Sequence, residues 1–231
     1  MDGDLSALTT GLIEIVWLDL LLAGDNAVVL ALATRALPQA QRRIGVNLGS
    51  ILFMLLRAAI LAAALACAPL PGFGLISGAA LIFAAIQVAR RGEAQQPEPS
   101  PPRRTLSAML GGVLAIDAPI ALTNMLAIQV AAAGHRPLAW LGLALAIPML
   151  ALGSAQFVAV LRRSPLLWAG AGLLGWLAGR SVAADSLVGF TAMPPSFLRD
   201  FAPPLGAALA LLIVYVYIRR QRFQRLPEED Q

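Results

Sequence analysis

The chain has 231 residues, of which 58% are hydrophobic and 13% charged, with a mean hydropathy of +0.75 and a formal net charge of +4. A soluble domain of this length would leave too much apolar surface in water, so a soluble fold is excluded and an all-α polytopic membrane protein is expected. The 17 basic residues are all arginine and stand in short clusters between apolar runs, which marks topology rather than nucleic-acid binding; the single Cys67 rules out an internal disulfide and a cysteine-cluster metal site.

The N-terminus, Met1 to Thr10, carries two acids and no base. It is therefore not the basic segment of a signal peptide, and no cleavage is expected. Seven apolar spans follow: Gly11–Thr34, Ile44–Ala66, Gly72–Ala89, Leu106–Ala133, Leu138–Leu161, Leu166–Ala184 and Phe201–Ile218.

The loops between the spans differ in charge. Arg35, Arg42, Arg43, Arg90, Arg91, Arg103, Arg104, Arg162, Arg163, Arg219, Arg220, Arg222 and Arg225 fall on one side; only Arg136 and Arg199 fall on the other. By the positive-inside rule the N-terminus is expected outside and the C-terminus in the cytoplasm. Trp140, Trp168, Tyr215 and Tyr217 stand near span ends, where interfacial anchors belong.

Residues 90–105 read as a Pro-rich cytoplasmic linker, because Pro97, Pro99, Pro101 and Pro102 favour an extended segment. The linker separates a first three-helix half, residues 1–89, from a second, residues 106–184. Residues 185–231 add an outer loop, a seventh helix and a basic tail. Within the halves a pattern recurs. Asp19, Asp25 and Asn26 stand at relative positions 0, 6 and 7, as do Asp117, Thr123 and Asn124. The first span and the fourth run in opposite directions, so the expectation is a 3+3 inverted repeat plus one extra helix, with a site near the midplane.

Residues seven apart share a helix face, which pairs Asp19 with Asn26 and Asp117 with Asn124. Gly24 and Pro119 are expected to interrupt their helices and free backbone carbonyls. The donors available are oxygens: Asp19, Asp25, Asp117, Asn26, Asn124, Thr123 and backbone carbonyls. Such a thiol-free, imidazole-free set suits Mg²⁺, Ca²⁺ or Mn²⁺. Arg57, deep in the second span, is expected to pair with one aspartate as a counter-ion. Three carboxylates and one guanidinium leave about −2, the charge a divalent cation neutralises.

The bland readings are specific too. Buried aspartates and asparagines also serve as interhelical hydrogen-bonding groups, and the sixth-span glycines Gly170, Gly172, Gly175 and Gly179 permit close helix packing. Glu14 is equally an entrance acid or a surface acid, Asp185 reads as an interfacial loop acid, and His135 as plain surface. No nucleophile–base pair or cofactor motif is present, so neither an enzyme nor a resident cofactor is expected.

The run Asp-Leu-Leu-Leu-Ala-Gly-Asp-Asn-Ala-Val-Val-Leu-Ala-Leu-Ala, Asp19 to Ala33, closely resembles the first motif of the TerC family of bacterial integral membrane proteins. Arg57 matches a further family feature, as does Leu-Leu-Gly-Trp-Leu-Ala-Gly-Arg followed by Ala-Asp, Leu173 to Asp185. The resemblance implies a seven-span metal-ion exporter within the wider lysine-exporter-like superfamily. Members of the family are linked to manganese efflux, and its name comes from tellurite resistance. Carried over, the metal-site residues are Asp19, Asp25, Asn26, Asp117 and Asn124. One position departs: the family has an aspartate directly before the fourth-span asparagine, and here it is Thr123.

Three functions follow as expectations. The first is an exporter of divalent cations, manganese foremost, working by alternating access with the metal ion as substrate. The second is an exporter of a small organic solute such as an amino acid. The third is a non-transporting membrane scaffold in a metal or tellurite stress response. The partners expected are the ion and the lipid bilayer, with small-residue faces that permit a homodimer, and no nucleic acid.

Overall fold

The computed structural model describes residues 6, 8–19, 37–93, 105–152, 164–188 and 194–225. Helix α1 covers residues 8–19, α2 Gln39–Cys67, α3 Phe73–Glu93, α4 Leu106–Ala131, α5 Arg136–Leu152, α6 Ser164–Ala183 and α7 Pro195–Arg225. No strand occurs among the described residues. Gln39–Cys67, Leu106–Ala131 and Ser196–Arg220 are long and apolar enough to cross a bilayer, and Phe73–Val88 is a shorter apolar helix. Large apolar side chains such as Ile51 and Leu55 of α2, or Leu205, Leu209 and Leu212 of α7, are exposed, as lipid-facing residues are.

Several boundaries depart from expectation: α2 starts at Gln39 rather than Ile44, and α7 runs on to Arg225 rather than Ile218. Helix α3 continues past Ala89 to Glu93, and α7 starts at Pro195 rather than Phe201. A proline fits the first helical position, where its missing N–H has no intrahelical partner to lose. The Leu198 amide donates to the Pro194 carbonyl at 3.3 Å and closes the first turn.

The helices form two compact units, each drawing on both sides of the 90–105 segment. The first unit holds α1, α2, α4 and α5. Its α2 buries Gly45, Gly49, Phe53, Arg57, Leu61 and Ala64, a stripe repeating almost every fourth residue. The stripe meets α4, and Leu37, Phe53, Met109 and Val113 pack there into an apolar cluster with Leu106 and Leu110 beside it. Gly45 lies against Leu37 and Met109, while Phe53 and Arg57 meet α4 farther along, so α2 and α4 run in the same sense. Helix α1 runs in the opposite sense to α4: Gly11 lies at the Ala131 carbonyl, and Ile15 and Ile128 both close on Gly142 of α5. Thr105 caps α4, its Oγ1 accepting from the Ala108 amide at 3.3 Å.

The second unit holds α3, α6 and α7, and small residues bring its helices together. A methyl group on Gly78 of α3 would come within 2.7 Å of Val182 Cγ2 and 3.1 Å of the Ala178 carbonyl on α6. On the other side of α6, a methyl on Gly175 would meet Ala210 Cβ and the Gly206 carbonyl, each at 2.5 Å, and one on Gly179 would collide with the Ala202 carbonyl. The role expected of Gly175 and Gly179 is thus what they do. Gly172 is looser, its nearest neighbour being Leu211 at 3.7 Å. The payoff in such a bundle is dispersion contact between backbones, since lipid is as apolar as leucine.

Candidate functional site

The site lies in the first unit, where the buried stripes of α2 and α4 each carry one charge. Asp117 follows Met109 and Val113 on the face of α4 that continues to Ala121 and Asn124. Asp117 and Asn124 are both buried on that face. Arg57 follows Phe53 on the stripe of α2. Its Nη2 donates to Asp117 Oδ1 at 3.0 Å, with 3% of the arginine side chain and 2% of the aspartate side chain accessible. Its guanidinium carbon lies 5.9 Å from the centre of the Phe53 ring, one helical turn back.

Asp19, at the end of the described part of α1, is buried, at 7% exposed. Two carboxylate oxygens, Asp19 Oδ2 and Asp117 Oδ2, are buried with no hydrogen-bond partner among the described residues. A buried carboxylate oxygen without a donor is costly unless a cation or proton meets it. Each of these two oxygens is thus an acceptor left open among the described residues. Gly24, Asp25 and Asn26 lie outside the described residues. Among the described residues, no three His, Cys, Asp or Glu side chains come together.

The structure differs from the sequence reading at two positions of the fourth span. Helix α4 is unbroken through Pro119, where an interruption was expected. The helix tolerates the missing amide because the other hydrogen bonds of its flanks continue on either side. The Thr123 hydroxyl turns onto its own helix, donating to the carbonyls of Ile120 at 3.0 Å and Pro119 at 3.3 Å. Its hydrogen is engaged there; its oxygen lone pairs are what it has to offer an ion.

Glu14, left open between entrance and surface, is buried. Asp185, read as an interfacial loop acid, stands just past the end of α6 and is buried there as a cap in the second unit. Its Oδ1 accepts from the amides of Leu187 at 2.8 Å and Gly72 at 3.0 Å, its Oδ2 from Gly74 at 2.7 Å and Leu75 at 3.2 Å. The four amides that a helix leaves unpaired at its start are thereby all met in α3: Gly72, Gly74 and Leu75 donate to Asp185 and Phe73 to Leu70, and Ile76 to Gly72 is the first bond of the helix itself. Burial alone would raise the Asp185 pKa, but the four amide donors outweigh it and hold the carboxyl below its ordinary value. One signal was available in the sequence. The start of the third span, Pro71-Gly72-Phe73-Gly74, contains no Ser, Thr, Asp or Asn, so its cap had to come from elsewhere.

Comparison with known proteins follows the same line. The family model described as "Integral membrane protein TerC family" matches residues 6–225. The chain is 28% identical over 207 residues to the protein named "Uncharacterized membrane protein YjbE" of Bacillus subtilis (strain 168), an alignment covering 89% of this chain and 94% of that one. No solved structure matches. With the match spanning nearly its whole length, and with apolar helices fit to cross a bilayer, the chain belongs to the TerC family of integral membrane proteins.

Proposed function

We propose that this protein exports divalent metal ions, manganese foremost, across the bacterial cytoplasmic membrane by alternating access at a midplane carboxylate–asparagine site. The observation that carries the reading is the buried Oδ2 atoms of Asp19 and Asp117, neither with a hydrogen-bond partner among the described residues, with Arg57 paired to Asp117 Oδ1. Asp25, one residue before Asn26 in the duplicated pattern, supplies the third carboxylate, and one guanidinium against three carboxylates leaves about −2 for a divalent ion to neutralise. The donors are oxygen, which favours manganese, magnesium or calcium over zinc.

The transport architecture is seven spans in a 3+3 inverted arrangement, with the N-terminus outside. The opposite sense of α1 and α4 supports it, as do the arginine-rich loops on one side. Alternating access then moves the ion past an unbroken α4, with any helix interruption confined to the first span at Gly24.

The test is flux into liposomes holding the purified chain, with Mn²⁺, Ca²⁺, Mg²⁺ and Zn²⁺ offered in turn. The expected result is Mn²⁺ movement that Asp25→Asn and Asp117→Asn abolish. Absence of flux for every ion in wild type overturns the reading. A second reading draws on the Arg57–Asp117 pair: a guanidinium for the carboxylate and an acid for the ammonium of an amino acid. Metal-insensitive uptake of a labelled amino acid into the same liposomes selects it.

A further inference from the structure

Arg57 is the only buried basic side chain among the described residues. A carboxylate meant for an ion does not need a guanidinium, and a metal ion and a guanidinium compete for the same lone pairs. Asp117 Oδ1 is held by Arg57 while Oδ2 has no donor among the described residues. An ion on Oδ2 would stand beside the arginine's charge and be repelled; an ion on both oxygens must push the arginine off. The guanidinium carbon already lies 5.9 Å from the centre of the buried Phe53 ring, one turn back on α2, so a cation–π contact stays with the arginine when the carboxylate is taken from it.

We infer that Arg57 is the release device of the site: it holds Asp117 when no ion is bound, yields that carboxylate to an entering divalent cation, and reclaims it as the ion departs. The inference rests on the divalent-cation reading above. Arg57 does not ligate the ion and is a positioning residue. Its presence weakens equilibrium binding and speeds unloading, which an exporter needs because an ion bound too tightly does not leave. A purely structural arginine would do the reverse on removal, with binding and turnover falling together.

The test compares wild type, Arg57→Gln and Arg57→Lys as full-length purified protein at alkaline pH, so that protons do not take the arginine's place. Mn²⁺ alone is the probe, by calorimetry for affinity and by liposome flux for turnover. Arg57→Gln is expected to bind Mn²⁺ about tenfold tighter or more, since a unit charge is removed a few ångströms from a divalent ion, and to turn over more slowly. In Arg57→Ala, added free guanidinium ion is expected to weaken Mn²⁺ binding competitively. Unchanged or weaker Mn²⁺ binding in folded Arg57→Gln overturns the inference.

If the glutamine variant does not fold, Arg57→Lys decides. A lysine carries its charge on a shorter stem and reaches Asp117 Oδ1 less well, so binding should tighten about threefold, and no tightening overturns the inference. Wild type that neither binds nor moves Mn²⁺ is a different failure: it removes the divalent-cation reading itself, and this inference with it.

Discussion

The Asp185 carboxylate accepts the Gly74 amide hydrogen at 2.7 Å, across 111 residues of chain. This contact and two companions, from Gly72 and Leu75, join the end of α6 to the start of α3. Gly72, at φ +85, turns its own amide toward the same carboxylate in a conformation that a residue with a Cβ rarely adopts. Asp185→Asn keeps one acceptor oxygen and loses the charge. It should cost about 1–2 kcal/mol of stability, read as a lower melting temperature of the purified protein, with no change in ion selectivity.

The same carboxylate sets a pH dependence. Its folded pKa lies below the ordinary value, so its contribution is complete above the unfolded pKa of about 3.9 and is lost as pH falls through the folded pKa. Melting temperature should therefore drop on acidification below about pH 4 in wild type, and drop less in Asp185→Asn. Equal slopes in the two proteins would show that the cap does not titrate as described.

Asp19 and Asp117 should part company when neutralised. Asp117→Asn leaves Arg57 buried without its charge partner, and removal of one member of a buried pair costs about 3–5 kcal/mol. Asp19→Asn removes a buried carboxylate whose Oδ2 has no donor among the described residues, so stability should hold or rise while Mn²⁺ binding weakens. Parallel thermal melts and Mn²⁺ titrations of the two variants separate the effects.

Thr123 is expected to be replaceable by valine with flux within about twofold of wild type, because its hydroxyl hydrogen is engaged by the helix backbone. Thr123→Asp should instead tighten Mn²⁺ binding, as a carboxylate binds the ion far better than a hydroxyl. Titration of both variants with Mn²⁺ checks the order aspartate, then threonine and valine together.

Glycines 179 and 172 test the packing of the second unit. Gly179→Ala forces a methyl onto the Ala202 backbone and should cost about 1–3 kcal/mol, whereas Gly172→Ala meets only a leucine tip at 3.7 Å and should be near neutral. Melting temperatures of the two variants in one detergent give the comparison.

Composition and local pattern were enough for the class of protein, for most helix boundaries and for the acidic positions. Apolar run length, arginine clusters and seven-residue spacing are local quantities, and α2, α4 and α6 fall within a few residues of their expected spans. Asp117 and Asn124 share a buried face because the helix repeat requires it. The sequence could say that Arg57 needs an acid, but not which one; only the parallel packing of α2 on α4 brings it to Asp117.

The Asp185 cap depends likewise on tertiary structure, because the amides it meets are about 110 residues away and no periodicity connects them. Pro119 shows the opposite limit. Its local preference is to break a helix, and the packing of α4 among its neighbours overrides a cost of about 3 kcal/mol. Spacing along one helix follows from covalent geometry and can be read from the chain, whereas pairing between helices follows from how their faces pack and is decided only in the folded molecule.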